Sequence, residues 1–269
     1  MTKRIFLPGE EWLYVKIYCN ETICNKIIKE DLSLIIDKLD QENTIKQFFF
    51  IKYADEGGFH LRLRFLLANF DLSAVILSIN KFLAPYIQSN VVRKIQIENY
   101  LRELERYGQD NIEMIESLFN YHSRSILKLL KSYSFQDLWM INLIYIDSCL
   151  SEFSLSRKEL LAFYSSGFEH LKIRMNLHNF KPLASYYRLN KEKVSAYFNS
   201  NKDFLNDENF SQFRYLLAKV FKKSIQREVY DIFHMNFNRI AEYGFNDIEV
   251  MSYFFLIQYS KELLLKPSV

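Results

Sequence analysis

The sequence predicts an α+β protein with a helical majority: a strand-bearing first hundred residues followed by an almost purely helical remainder. Three observations predict it. Before about residue 108, aromatic and β-branched runs alternate with helical patterns. From Asn111 onward apolar residues recur at 3.6-residue spacing. Gly and Pro number only 6 and 4 among 269 residues, and 49% of the chain is hydrophobic, which favours long regular elements over disorder.

The elements follow in order. Residues 12–19 form an aromatic and β-branched run and read as a strand. Residues 22–39 place Ile23, Ile27, Ile28, Leu32, Ile35, Ile36 and Leu39 on one helical stripe. Residues 48–53 are a second strand. The run Asp55-Glu56-Gly57-Gly58 is a turn, and residues 60–67 are a third strand, so the pair makes a hairpin. Residues 71–83 read as a helix capped by Asp71, and residues 91–100 as a fourth strand. The order β-α-β-β-α-β is the split pattern of ferredoxin-like units. Helices are then expected near 111–131, 135–153, 156–174, 190–200, 208–241 and 247–265, with breaks at 132–134, at Lys181-Pro182 and at 201–209. No repeat or long linker interrupts the chain. It is expected to be one domain, 1–269, in which residues 1–108 are α/β and residues 109–269 are helical.

Composition excludes several function classes. The formal charge is +3, from 35 basic and 32 acidic residues, so the chain lacks the global basic field of nucleic-acid binders. Three cysteines, Cys19, Cys24 and Cys149, suit a reducing compartment and read as ordinary thiols, with no second Cys/His pair near Cys19 and Cys24 to complete a zinc site. The apolar N-terminal stretch is too short for a signal peptide, and the longest apolar window, 138–150, is interrupted by Asn142 and Asp147. The expected location is the cytoplasm. No Gly-rich phosphate loop or serine nucleophile elbow is present.

Three segments can carry chemistry. In His60-Leu61-Arg62-Leu63-Arg64-Phe65, strand alternation sends Leu61, Leu63 and Phe65 to one face and His60, Arg62 and Arg64 to the other. Two guanidiniums roughly 7 Å apart along a strand repel unless an anion or acid lies between them. Arginine's planar fork suits it to hold carboxylate or phosphate. The competing reading is a solvent-facing strand with two ordinary arginines. In Glu103-Leu104-Glu105-Arg106-Tyr107-Gly108, Glu103 and Arg106 share a face if the segment turns helically, though a surface ion pair has the same spacing. In His234-Met235-Asn236-Phe237-Asn238-Arg239, His234 and Asn238 are four apart on a helix; a histidine there can serve as acid or base, or be a satisfied core residue. His122, His170 and His178 have no matching partners and read as structural or surface groups. Lys222 and Lys223 with Arg227 read as a solvated helix face that could help dock an acidic partner.

Taken together and in this order, these segments resemble the thiopeptide-type bacteriocin biosynthesis domain family, the C-terminal glutamate-elimination domain of lantibiotic dehydratases. The resemblance runs from Pro8-Gly9-Glu10-Glu11-Trp12-Leu13-Tyr14 through Phe49-Phe50-Ile51-Lys52-Tyr53, the arginine strand and the Glu103–Gly108 segment to His234-Met235 and Asn238-Arg239. It implies a β-elimination of glutamate from glutamylated Ser or Thr of a precursor peptide, leaving dehydroalanine or dehydrobutyrine. It also implies site residues Arg62, Arg64, Glu103, Arg106 and His234, no metal or organic cofactor, and a possible homodimer. The glutamate would be installed by a separate tRNA-dependent glutamylation subunit, for which 269 residues leave no room; a free-standing elimination subunit is expected. Relatives of the domain act as pyridine synthases but tend to lose the arginine and histidine set. A non-catalytic peptide- or partner-binding subunit is the other alternative. The chain departs from the family at Lys52 for arginine, Gln109 for glycine, and His122-Ser123 for Asp-Ser.

Overall fold

The computed structural model describes residues 2–200, 203–221 and 227–265. The chain divides into two compact units, 1–132 and 133–269.

In the first unit, strand β1 (Ile5–Phe6) and strand β2 (Trp12–Cys19) precede helix α1 (Glu21–Lys26), a π-helical stretch Ile27–Leu32 and α2 (Ser33–Gln41). Asn20 opens α1 by accepting the Ile23 amide at 2.8 Å. Hairpin strands β3 (Ile45–Asp55) and β4 (Gly58–Leu67) follow, then α3 (Leu72–Gln88), β5 (Val92–Glu98), β6 (Tyr100–Leu101), the short α4 (Leu104–Tyr107) and α5 (Ile112–Ser132). Asp71 caps α3 as expected, accepting the Ala74 amide. The expected fourth strand is divided into β5 and β6, and β6 pairs with the short β1 that periodicity did not reveal.

The main sheet has the order β3-β4-β2-β5, and every neighbouring pair is antiparallel. Its alternation sorts the side chains. Leu13, Val15 and Ile17 join Phe48, Phe50, Leu61, Leu63 and Phe65 in the core beneath the helices. The hairpin depends on its two glycines. Gly58 holds φ +102°, and a Cβ on Gly57 would lie 2.8 Å from Tyr18 Cε1.

Helix α5 packs along β3 and completes this unit, which thus extends past residue 108. Along β3, Asn120 Oδ1 accepts the Phe48 amide at 3.1 Å and Ser123 Oγ accepts the Phe50 amide at 3.3 Å. Those amides would otherwise be buried donors without acceptors. Arg124 fastens the same helix to Asp40 with two bonds of 2.5 and 2.9 Å.

The second unit is helical: α6 (Phe135–Ser151), α7 (Arg157–Arg174), α8 (Lys181–Asn199), a 3₁₀ turn Asp203–Asn206, α9 (Glu208–Val220), α10 (Arg227–Ile240) and α11 (Phe245–Leu265). Helix α6 is apolar on nearly all sides and buried. Two expectations are corrected. Lys181-Pro182 starts α8 rather than breaking the chain, because proline is tolerated in a first turn whose amides lack helical partners anyway. The helix expected over 208–241 stops at Phe221, whose amide reaches back to Leu217 and Lys219 carbonyls, and a separate α10 begins at Arg227. Lys222 and Lys223 lie outside the described residues.

Replacing Asn120 or Ser123 by alanine should each destabilise the protein by about 1–3 kcal/mol, since a buried amide loses its acceptor. Urea unfolding followed by circular dichroism would measure it; an unchanged midpoint for both would contradict the packing described.

Candidate functional site

The face of β4 opposite the helices carries His60, Arg62 and Arg64, as alternation requires. Cross-strand register completes the face. Phe49, Arg64, Tyr14 and Glu98 form one row; Ile51, Arg62, Lys16 and Gln96 the next; Tyr53, His60, Tyr18 and Lys94 the third.

The two arginines live in different surroundings. Arg62 stacks on the Tyr53 ring, with Cζ 3.6 Å from its centroid, and donates from Nε to His60 Nε2 at 2.9 Å. Its Nη2 lies 3.9 Å from Asp55 Oδ2. The same carboxylate oxygen lies 3.4 Å from Lys16 Nζ, 3.4 Å from Tyr18 Oη and 3.6 Å from His60 Nε2. Asp55 is therefore the acid that relieves this cationic cluster. Glu98 helps by pairing with Lys16 at 2.9 Å. Partial burial would raise the Asp55 carboxyl, but the Gly57 amide, His60 and Lys16 outweigh it and hold it below its ordinary range.

Arg64 has no such acid. Its guanidinium is caged by Tyr14, Phe49 and Tyr100, with Cζ 4.5, 5.2 and 5.5 Å from the ring centroids. Its Nε is buried without a hydrogen-bond partner, and no carboxylate pairs with it among the described residues. Rings attract the cation but do not neutralise it. The nearby buried acid, Glu116, is committed elsewhere: it accepts two bonds from Arg102 at 2.7 and 2.6 Å and one from Tyr100 at 2.9 Å. Burial raises the Glu116 carboxyl even so, and Arg102 opposes that rise.

The remaining expected residues separate into two groups. Glu103 and Arg106 pair with each other at 2.6 Å and are nearly half exposed, on and beside α4. The connection from β6 to α5 carries them, not the arginine strand. His234 belongs to the second unit. It lines a cavity of about 610 Å³ there, and its Nδ1 lies 2.7 Å from Glu249 Oε2. It is thus neither a core histidine nor a fully exposed one. Asn238, one turn on, is buried.

Of the other histidines, His122 is buried, His178 is exposed beside Asn176, and His170 lines the same cavity as His234. Lys52, where the resembled family carries arginine, points away from the arginine face and donates to Asn25 at 2.8 Å beneath the helices. The cysteines are free and buried. Among the described residues no cluster of His, Cys, Asp and Glu is placed to hold a metal, and no helix is long and apolar enough to cross a membrane.

Spacing does not single out Asp55, Tyr53 or Glu249. Asp55 reads locally as a turn residue, which it also is, accepting the Gly57 amide at 2.9 Å. Only strand register shows that it closes over Lys16, His60 and Arg62.

His60 supplies a pH test. Arg62 Nε can only donate, so His60 Nε2 must accept, and the ring is neutral with its proton on Nδ1, facing the Gly58 carbonyl at 3.0 Å. Burial, with Arg62 and Lys16, lowers the His60 pKa despite the Gly58 carbonyl and Asp55. The unfolded chain therefore binds more protons just below the free-histidine value of about 6.5, and stability falls as pH drops through that range. Asp55 does not contribute there, because its stabilisation is lost only below about pH 3.9. The wild-type protein should lose melting temperature between about pH 7.5 and 5.5, and His60→Gln should lose less. Equal losses in a thermal melt would refute the assignment.

Residues 12–259 match the model of the lantibiotic biosynthesis dehydratase C-terminal family. The chain is 23% identical over 261 residues to the subtilin biosynthesis protein SpaB of Bacillus subtilis, covering 88% of this chain and 24% of that protein. It is 25% identical over 244 residues to the epidermin biosynthesis protein EpiB of Staphylococcus epidermidis (90% and 21%), and 26% identical over 259 residues to the nisin biosynthesis protein NisB of Lactococcus lactis subsp. lactis (88% and 24%). It spans about a quarter of the length of these curated relatives. In fold it is similar to the tRNA-dependent lantibiotic dehydratase MibB of Microbispora sp. 107891, with TM-score 0.65 and 16% identity over 96% of this chain and 29% of that one. It is also similar to the pyridine synthase TbtD from thiomuracin biosynthesis, with TM-score 0.64 and 11% identity over 95% and 99%. With its α+β fold and a family match over nearly its whole length, the chain belongs to the lantibiotic biosynthesis dehydratase C-terminal family.

Proposed function

We propose that this chain eliminates glutamate from glutamylated Ser or Thr of a ribosomally made precursor peptide, as a carbon-oxygen lyase of lanthipeptide-type biosynthesis. The observation that carries the reading is Arg64: a guanidinium caged by three rings, with no acid of its own among the described residues, on a sheet face where Asp55 and Glu98 answer Lys16 and Arg62. Such a cation is suited to an anion that arrives with substrate or develops during reaction. The family and the lantibiotic relatives support a substrate from lanthipeptide-type biosynthesis.

The elimination removes a weakly acidic Cα proton, forms a Cα–Cβ double bond and expels glutamate as a carboxylate. Two charges need help, on the enolate-like peptide oxygen and on the leaving carboxylate, and fixed donors aimed at developing charge supply it. Arg64 meets one of them. Arg62, whose guanidinium is stacked and tethered, meets the other or orients the substrate. Arg106 and Glu103 act on the glutamyl group, and His234 moves the proton. Units 1–132 and 133–269 together make one functional domain in this reading. The four-stranded sheet is read as a ferredoxin-like unit, which its strand order and helical connections support. Esterification falls to a separate tRNA-dependent glutamylation subunit, which sets the reaction in the cytoplasm.

The fold it shares with TbtD keeps a pyridine-forming cycloaddition as the second reading, but at 11% identity that likeness argues for no chemistry. One experiment separates them. Glutamylated precursor peptide is incubated with wild type, Arg64→Ala and His234→Ala and followed by mass. Wild type should release glutamate, and each variant should slow by at least about 100-fold and accumulate glutamylated peptide. Arg64→Lys should fall between, since it keeps charge but loses the planar stack. Normal turnover by both alanine variants would sink the site. Ring closure of a bis-dehydro peptide, without glutamate release from the ester, would move the protein to the second reading.

A further inference from the structure

We propose that Glu249 is the positioning residue of His234: it holds the imidazole with its proton on Nδ1, so that Nε2 acts as the base toward the cavity of the second unit. The inference rests on the elimination reading for the identity of the reaction, but its geometry stands independently.

Glu249 lies in the second turn of α11, and His234 in the middle of α10. Their contact, His234 Nδ1 to Glu249 Oε2, is 2.7 Å, in the range of a charge-assisted bond. The Glu249 side chain is 4% exposed, whereas the histidine side chain is 29% exposed at the cavity wall. A buried carboxylate needs partners, and it has them on two sides. The ring is one. Arg174 Nη2 from α7 is the other, 3.5 Å from the same Oε2, and Arg174 is itself oriented by Asn246 Oδ1 at 2.9 Å. Asn246 and Glu249 both belong to α11, so one helix end arranges acid and counter-charge together.

Other charged groups face the same cavity. His170 comes from α7, and Arg227 and Asp231 come from the helix that carries His234. Asp231 stands one turn before the histidine, yet Glu249 is the acid placed at Nδ1. The walls beside it are close-packed: a Cβ on Gly167 would meet Tyr253 Cε1 at 2.8 Å and Tyr230 Cε1 at 3.0 Å. Tyr253 is a neutral phenol, since burial raises its pKa, with Glu249 adding to the rise.

A carboxylate can only accept, so Nδ1 must donate, and the neutral ring carries its lone pair on Nε2. In the proposed elimination Nε2 takes the Cα proton. The electrons of that C–H bond form the Cα–Cβ double bond, and the Cβ–O pair leaves on the glutamate carboxylate. The imidazolium so formed is stabilised by Glu249, in the manner of other acid-oriented histidines. This assigns His234 the base role rather than the acid role.

The test uses histidine labelled with ¹⁵N in the full chain, with the His234 resonances identified by their loss in His234→Asn. Long-range proton–nitrogen spectra report the tautomer, and single-turnover assays on glutamylated peptide report elimination. Wild type should show the Nδ1–H form. Glu249→Gln should populate the Nε2–H form, because its amide can donate to Nδ1, and should lower the elimination rate about 100-fold with KM little changed. Glu249→Asp should restore the Nδ1–H form and part of the rate. An Nε2–H ring in wild type, or an unchanged tautomer and rate in Glu249→Gln, would overturn the proposal; the wild-type spectrum decides it even if the glutamine variant fails to fold. A correct tautomer response in a protein that never releases glutamate would instead overturn the elimination reading and leave the positioning role standing.

Discussion

The first unit depends on one constraint, the two-residue alternation of β4. A strand cannot turn Leu61, Leu63 and Phe65 into the core without turning His60, Arg62 and Arg64 to the opposite face. The core term is large, since each fully buried Leu or Phe is worth about 1.5–3 kcal/mol relative to exposure. A one-residue slip would forfeit it at several positions at once. The cations are therefore held in register by hydrophobic burial rather than by their own interactions. The neighbouring strands complete the arrangement by placing Tyr14, Phe49 and Tyr53 beside them.

Within that register the two arginines are made unequal by what closes over them. The β3–β4 turn brings Asp55 over Lys16, His60 and Arg62, and the neutral tautomer of His60 gives Arg62 an acceptor. Toward the other end of the face, the aromatic residues Trp12, Phe49 and Tyr100 form a packed cluster, and Arg64 lies against it. The buried Arg102–Glu116 pair fixes Tyr100 there, and its carboxylate is taken up by Arg102 and Tyr100. Breaking that pair would leave a buried charge, which is far costlier than losing a surface bridge. The asymmetry is thus built into packing.

The second unit applies the same logic with helices. An apolar helix α6 lies in its interior, and the polar groups gather where α7, α10 and α11 line a cavity. Glu249 is buried there because a histidine and an arginine both meet its carboxylate. The close approach of α7 to Tyr230 and Tyr253 requires the missing side chain of Gly167.

Much is legible in the sequence because it is local. The aromatic and β-branched run bounds Trp12–Cys19 correctly, position before an apolar stripe marks the Asp71 cap, and alternation alone separates the opposed faces of His60–Phe65. The errors are local too: proline at Lys181-Pro182 looks like a break because a first-turn proline and a helix breaker are the same residue. The sequence by itself determined the α+β class, the arginine face, the family resemblance and the helical spacing that carries His234. Tertiary structure alone decided that Asp55 serves Arg62 and not Arg64, and that Glu249 holds His234. Those outcomes depend on strand register and helix packing, which bring together residues of different elements, and no spacing rule encodes the distance between a turn carboxylate and the side chains of a neighbouring strand.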